Sequence, residues 1–348
     1  MASSASPNRP VQNQTAPAAQ DGRSFTIPLQ LSPASGILNK LREERTVTSV
    51  ETLSDSLVGE IFKALGLAEE GWARQRFGGV FRKAAVRLSR VGVTFDQLCA
   101  RDGFGAAAEW ALTNWCTDIR ARGVEHVPSD KPLLVISNHP GTYDALVIAS
   151  RLRRDDLRLI SSDIPFLKQL PHAKDHFFFV DMDPLVRANA TRHGIRHLEK
   201  GGAILLYGSG EIDPDPALSG EAPQHIDRWS RSIELFLRRV PETRILLSIV
   251  SHSVSARWVR SPISWLRWLP LDKRRLVEFG QVLQQLFFPG SLYLSPRLSF
   301  AAPIRVDELR AEAGTSELLP TIIAREKQLL SEHLAVFGES PTLSTTRP

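Results

Sequence analysis

The sequence predicts an α/β protein: a layered domain with a mostly parallel central sheet flanked by helices, preceded by an α-helical N-terminal layer. Three observations predict it. From Gly123 onward, strand-length apolar runs alternate with helix-length periodic stretches, the pattern of β–α units around a parallel sheet. Upstream, residues 54–123 carry apolar side chains at helical spacing. Both ends of the chain are polar and lack sustained periodicity, which confines the core between them.

The elements follow in order. Residues 1–50, rich in Ser, Pro, Ala, Gln and Asn, are expected to form a disordered tail, with a small apolar island at 25–31 (FTIPLQL) able to dock on the body. Residues 51–122 are expected to be helical. Leu57, Ile61, Leu65 and Leu67 share one face of a first helix, and Phe77, Val80, Phe81, Ala84, Ala85 and Leu88 one face of a second. Trp110 and Trp115 lie on a third, over 104–122. These aromatic residues are read as core. Residues 123–338 make the α/β domain. Its strands are expected at 133–137, 157–161, 177–180, 203–207, 245–250 and 297–302. Its helices are expected at 144–152, 163–170, 184–200, 225–239, 271–288 and 316–337. Residues 339–348 read as a second disordered tail. There is no internal repeat.

Composition narrows the function classes. A 42% hydrophobic content allows a substantial core in 348 residues, and a net charge of +5 is mildly basic. That balance suits phosphates, coenzyme A or acidic lipid headgroups. It is too weak to indicate nucleic acid, and no compact nucleic-acid motif is present. Cys99 and Cys116 form neither a redox pair nor a metal pair, so a reducing cytoplasm is expected. No signal peptide and no transmembrane helix are expected, and any membrane contact would be peripheral, on the inner face.

The stretch with the most chemistry is SNHPGTYD, Ser137 to Asp144. An apolar strand delivers His139 into a Pro-Gly turn, and Asp144 opens the next helix. That arrangement builds an oriented general base: the carboxylate takes one imidazole nitrogen and leaves the other free to accept a proton from a hydroxyl. The plainer reading is a surface-turn histidine beside a helix-capping aspartate. A second signal is KGGAILLYGSGEIDPD, from Lys200, where a strand ends in a Gly-Ser-Gly turn. Ligands bind beyond the carboxyl ends of strands in open α/β sheets, so the loop after Tyr207 is expected beside His139.

Asn138, His139 and Asp144, in the string N-H-x4-D after an apolar strand, resemble the first motif of the lysophospholipid acyltransferase superfamily. That superfamily includes glycerol-3-phosphate and 1-acylglycerol-3-phosphate acyltransferases. The resemblance covers residues 123–309. It implies transfer of a fatty acyl group from acyl-CoA or acyl carrier protein to a hydroxyl of a glycerolipid or lysophospholipid-type acceptor. His139 would be the base and Asp144 its partner. No metal or prosthetic group is implied, because the thioester is a substrate. Asn138, Gly141 and Thr142 in the first turn, and Tyr207, Ser209, Gly210 and Glu211 in the second, are the implied substrate-binding residues. At the second turn Tyr207 and Gly210 match the family's F-P-E-G-T-R segment, while Ser209 stands where Glu is usual and Glu211 follows. The strand at 177–180 leads to Met182 and Asp183 where the family has an acceptor-binding Arg. Arg187, Arg192 and Arg196 on the next helix are the substitutes, against their plainer reading as a solvated face. Ser248 stands where a Pro is commoner, and 300–306 (FAAPIRV) resembles the late G-x-P-I segment.

Rival chemistries fit less well. A Ser209–His139–Asp144 hydrolase lacks the G-x-S-x-G elbow. The His172/His176 and His193/His197 pairs lack the Glu of a zinc protease helix and are expected to be hydrated surface residues. Trp258, Trp265 and Trp268, interleaved with Arg257, Arg260 and Arg267, suit either an anionic membrane interface or a core-packed loop. A catalytically silent lipid-binding protein on the same fold is the alternative to the enzyme.

Overall fold

A computed structural model describes residues 25–28, 49–64, 72–261, 273–314 and 317–338. The expected disordered tails fall outside them, except that 25–28 form a strand, β1 (Phe25–Pro28), and residues 49–50 lead into the first helix. Leu65, Leu67, Trp265 and Trp268 also lie outside the described residues. Three helices follow: α1 (Val50–Ala64), α2 (Trp72–Asp102) and α3 (Phe104–Leu112). Leu57, Val58 and Phe62 of α1 pack on Ala85 of α2, and the Phe62 and Phe81 rings meet edge-on at 5.6 Å. The helix expected over 104–122 stops at Leu112. Residues 118–122 instead form β2 (Asp118–Arg122), which pairs antiparallel with β1 and parallel with a strand near the C-terminus.

The α/β units then run β3 (Leu133–Ser137), α4 (Asp144–Leu152), β4 (Leu157–Ser162), α5 (Pro165–Lys168), β5 (Phe177–Val180), α6 (Pro184–Glu199) and β6 (Ala203–Tyr207). After them come α7 (Ala222–Ile226), α8 (Ser232–Arg239), β7 (Arg244–Ser251), α9 (Ala256–Val259) and α10 (Lys273–Phe287). The chain closes with β8 (Arg297–Phe300), β9 (Ile304–Arg305), α11 (Val306–Ala313) and α12 (Leu319–Phe337). The helix expected at 225–239 is two helices. The break has a tertiary cause: the Ser230 N–H donates to Gly208 O at 2.8 Å, and the Trp229 ring lies where a Cβ on Gly208 would be, at 2.1 Å.

Among the described residues one sheet runs in the order β1-β2-β8-β7-β3-β6-β4-β5, with β9 also on β7. The five strands β7, β3, β6, β4 and β5 are parallel to their neighbours in that order. β8 reverses against β7, which makes the sheet mixed at that edge. β3 lies centrally, and all five of its residues are buried. Its alternation divides the core. Leu133 and Val135 join α3 and α4 on one face, and Leu134 and Ile136 join α8 and α12 on the other. Each such buried side chain contributes about 1.5–3 kcal/mol, so the strand that carries the His139 turn is among the most firmly held.

Register decides what sits beside that turn. Ser137 at the end of β3 faces Tyr207 at the end of β6 and Ser248 in β7. The loops leaving β3 and β6 therefore emerge side by side at the carboxyl edge of the sheet.

Candidate active site

His139 lies two residues past the end of β3, and Asp144 is the first residue of α4. Because the Pro140-Gly141-Thr142 turn folds the chain back, the His139 Nδ1 lies 2.7 Å from Asp144 Oδ2. The carboxylate is fully buried, while the imidazole keeps 26% of its side-chain surface exposed. The buried partner thus holds Nδ1, and the exposed part of the ring is left for a substrate. Two further donors fix Asp144. The Gly141 N–H reaches Oδ2 at 3.2 Å, and the Tyr207 hydroxyl donates to Oδ1 at 2.6 Å. The Tyr207 ring stacks on His139 with centroids 4.0 Å apart and planes 11° from parallel. Ring stacking and a charge-assisted hydrogen bond together lock the dyad's rotamers.

The backbone of His139 is clamped from the second loop. Its N–H donates to Asp213 Oδ2 at 2.9 Å, and its carbonyl accepts the Asp213 N–H at 2.7 Å. Asp213 is buried, with its other oxygen 3.4 Å from His225 Nδ1. On the far side Asp215 accepts four backbone N–H groups, from Ala217, His252, Ser253 and Val254, at 2.8–3.2 Å. They hold the exit of β7, where His252 takes a left-handed φ of 58°. That exit abuts the turn closely: a Cβ on Gly141 would come within 3.3 Å of Val254.

Charge at the site follows from these contacts. Burial opposes a charged imidazole, but the combined pull of Asp144, Glu278 and Asp213 outweighs it and raises His139 to about 9. Burial also pushes the Tyr207 phenol well above its ordinary value, and Asp144 adds to this, so Tyr207 stays a neutral donor. Burial likewise pushes Asp215 up to about 6 against its four donors.

Several residues expected to bind substrate have other partners. Asn138 is buried, and its amide behaves as a surrogate peptide. Nδ2 donates to Val250 O at 2.9 Å, and Oδ1 accepts the Val250 N–H at 2.8 Å. It ties β3 to β7. Gly141 serves Asp144, and the Thr142 hydroxyl goes to Glu278. Tyr207 belongs to the dyad. The Ser209 hydroxyl bonds the Glu211 backbone and makes no hydrogen bond to His139. The Gly210 N–H closes the turn on Tyr207 O at 3.2 Å, with φ at 70°, a conformation that favours glycine. Glu211 and Arg187 are exposed, and neither is bonded to the dyad. Asp183 caps α6 by accepting the Leu185 N–H at 2.8 Å, and Met182 is 87% exposed. The cation held at the second loop is Arg274. It reaches His225 Nε2 at 3.1 Å, Glu221 at 3.3 Å and Ile212 O at 3.5 Å.

One member of each histidine pair departs from expectation, while His193 is exposed as expected. His176 is half-buried, bonds Leu157 O at 2.9 Å and stacks on Phe104; His197 bonds Asp156 O at 2.6 Å. Burial lowers both. They are structural rather than hydrated, and no cluster of three metal-type side chains occurs among the described residues. No helix of the described residues is long and apolar enough to cross a membrane.

Sequence reading missed Asp213, Asp215, Glu278 and His225. Asp213 and Asp215 carried one local signal: each is followed by proline in IDPDP, a rigid turn that fixes a carboxylate.

Residues 118–225 match the family model described as Acyltransferase. Among solved structures, the crystal structure of the 1-acyl-sn-glycerophosphate acyltransferase PlsC from Thermotoga maritima is similar at 13% identity and a TM-score of 0.37. It covers 81% of this chain and 97% of its own. No curated protein matches the chain.

Proposed function

We propose, from the match of residues 118–225 to the Acyltransferase family model and from the N-H-x4-D string, that this chain is an O-acyltransferase of the lysophospholipid acyltransferase superfamily and uses His139 as its general base. The reaction moves a fatty acyl group from a thioester, acyl-CoA or acyl carrier protein, to a hydroxyl of a glycerolipid or lysophospholipid-type acceptor. The observation that carries the mechanism is the 2.7 Å contact between a partly exposed His139 and a buried Asp144 at the carboxyl edge of the sheet.

The Asp144 contact fixes the tautomer with Nδ1 protonated, so the neutral ring presents Nε2 as the base. Nε2 takes the acceptor's hydroxyl proton as the oxygen attacks the thioester carbonyl carbon. Asp144 stabilises the imidazolium that forms. As the C–S bond breaks, the imidazolium returns that proton to the departing sulfur, leaving an ester, a thiol and neutral His139. Tyr207 keeps Asp144 aimed, and Asp213 keeps the His139 backbone in register. The test is thiol release from long-chain acyl-CoA and acyl carrier protein against a panel of lysolipids. Acceptor-dependent release is expected; lipid binding without release would instead support a silent binding protein.

Peripheral contact with an anionic membrane belongs to the same proposal. Arg257 and Arg260 are exposed along a surface groove of about 830 Å³ that also contains Trp258, Phe287 and a 66% exposed Phe288. Basic and aromatic side chains together suit a headgroup layer.

A further inference from the structure

Helix α10 presents a polar stripe to the loops of the site. Glu278, Gln281 and Gln285 are spaced three and four residues apart, so they share one helix face. Each has a defined partner. Glu278 Oε1 accepts the Thr142 hydroxyl at 2.5 Å. Gln281 accepts the Ser255 N–H at 2.6 Å and donates to Ser253 O at 3.2 Å. Gln285 accepts the Tyr143 hydroxyl at 2.7 Å and donates to Trp115 O and Leu292 O. Thr142 and Tyr143 lie between His139 and Asp144, so α10 braces the very turn that brings the dyad together. A brace needs no charge, and the two glutamines supply none. The third member of the stripe is a carboxylate, half-buried and within electrostatic reach of the imidazole.

We propose that Glu278 is a positioning residue: it hooks the His139 turn through Thr142 and acts as a second carboxylate on the imidazolium, in support of Asp144. This rests on the general-base reading of His139. The groups facing His139 are Asp144 from α4, Asp213 from the second loop, Glu278 from α10 and the neutral hydroxyl of Tyr207. Glu278 itself faces Thr142, His139, Asp144 and Arg275. Burial raises its carboxyl, and the Thr142 hydroxyl and the imidazolium counter that. In the reaction the proton passes from the acceptor hydroxyl to Nε2 and then to the thiolate. A second carboxylate makes Nε2 a stronger base for the first transfer and holds the proton until the sulfur needs it.

The test separates charge from packing. Glu278→Gln keeps an acceptor for Thr142 and removes the charge; Thr142→Val removes the hook and keeps the charge. Two readouts apply. The first is the His139 titration by NMR on the ligand-free protein, with the signal assigned by its loss in His139→Gln. In Glu278→Gln it is expected to fall by about one unit. The second is the pH profile of acceptor-dependent thiol release. In Glu278→Gln its rising limb moves to lower pH by the same amount while the high-pH kcat falls about tenfold and KM for the thioester holds. Thr142→Val is expected to lower kcat without moving the limb. An unmoved His139 titration in Glu278→Gln would overturn the proposal, whatever its activity. If the titration moves and no variant or wild type releases thiol, the electrostatic coupling stands and the acyl-transfer reading falls.

Discussion

Replacing Tyr207 with Phe removes one hydroxyl and keeps the ring. The ring stack on His139, with centroids 4.0 Å apart, survives in the variant. What is lost is a 2.6 Å hydrogen bond to Asp144 Oδ1, on a carboxylate with no exposed surface. Water has no route to replace it. A hydrogen bond to a buried charged group is worth about 1.5–3 kcal/mol. If that whole energy supports the dyad in the transition state, kcat falls about 10- to 10²-fold. With one donor fewer, Asp144 pulls harder on His139, so the rising pH limb moves upward, opposite to the shift expected for Glu278→Gln. The assay is steady-state thiol release with kcat and KM resolved, over a pH range spanning neutrality to 10. The sequence alone places Tyr207 with the substrate. An unchanged kcat with a raised KM would restore that reading and refute the dyad role.

Two other expectations concern stability and surface. His333 is fully buried between Ser251 Oγ at 2.7 Å and Ser299 Oγ at 2.8 Å, and burial, then Arg122, His252 and Arg297, lower it to about 3. Its folded value lies below the unfolded value near 6.5, so the unfolded chain binds the extra proton. The stability it contributes is complete above pH 6.5 and is lost as pH falls towards 3. Urea unfolding from pH 6 to 4 should therefore show a pH slope shallower in His333→Gln than in wild type by about 1.4 kcal/mol per unit; parallel profiles would contradict it. At the groove, Arg257→Glu with Arg260→Glu should weaken cosedimentation with phosphatidylglycerol vesicles tenfold or more at low salt, on the basis of about 1 kcal/mol per surface cation. Equal binding would remove the membrane proposal.

Local pattern was enough where local forces decide. The runs LLVIS and AILLY are buried strands of the sheet interior, FFFV is a half-buried strand at its edge, and all three lie where their apolar residues place them. The helix at 144–152 was equally legible from its periodicity. The residues DIRAR were not. They carry three charges and extend the helical pattern before them, yet they become a strand because β1 and β8 supply backbone partners distant in the sequence. The single helix expected at 225–239 fails for a similar reason, since Gly208 captures the Ser230 N–H.

The same division runs through the site. His139 and Asp144 are five residues apart, so spacing exposes them. Asp213 and Glu278 reach the turn from 74 and 136 residues away, at His139 and Thr142, and no spacing reports that. Asn138 and Thr142 looked available because side-chain amides and hydroxyls in a turn usually are. Register against β7 and the approach of α10 use them up. Spacing thus locates the His139–Asp144 pair, while long-range packing sets its charge and rigidity.

The most direct measurement is acceptor-dependent thiol release by His139→Ala beside wild type, with far-UV CD and the urea midpoint as controls for folding. If His139 removes the hydroxyl proton, turnover falls about 10²- to 10⁴-fold while both controls hold. Release at the wild-type rate from a folded His139→Ala protein would show that another group does the work.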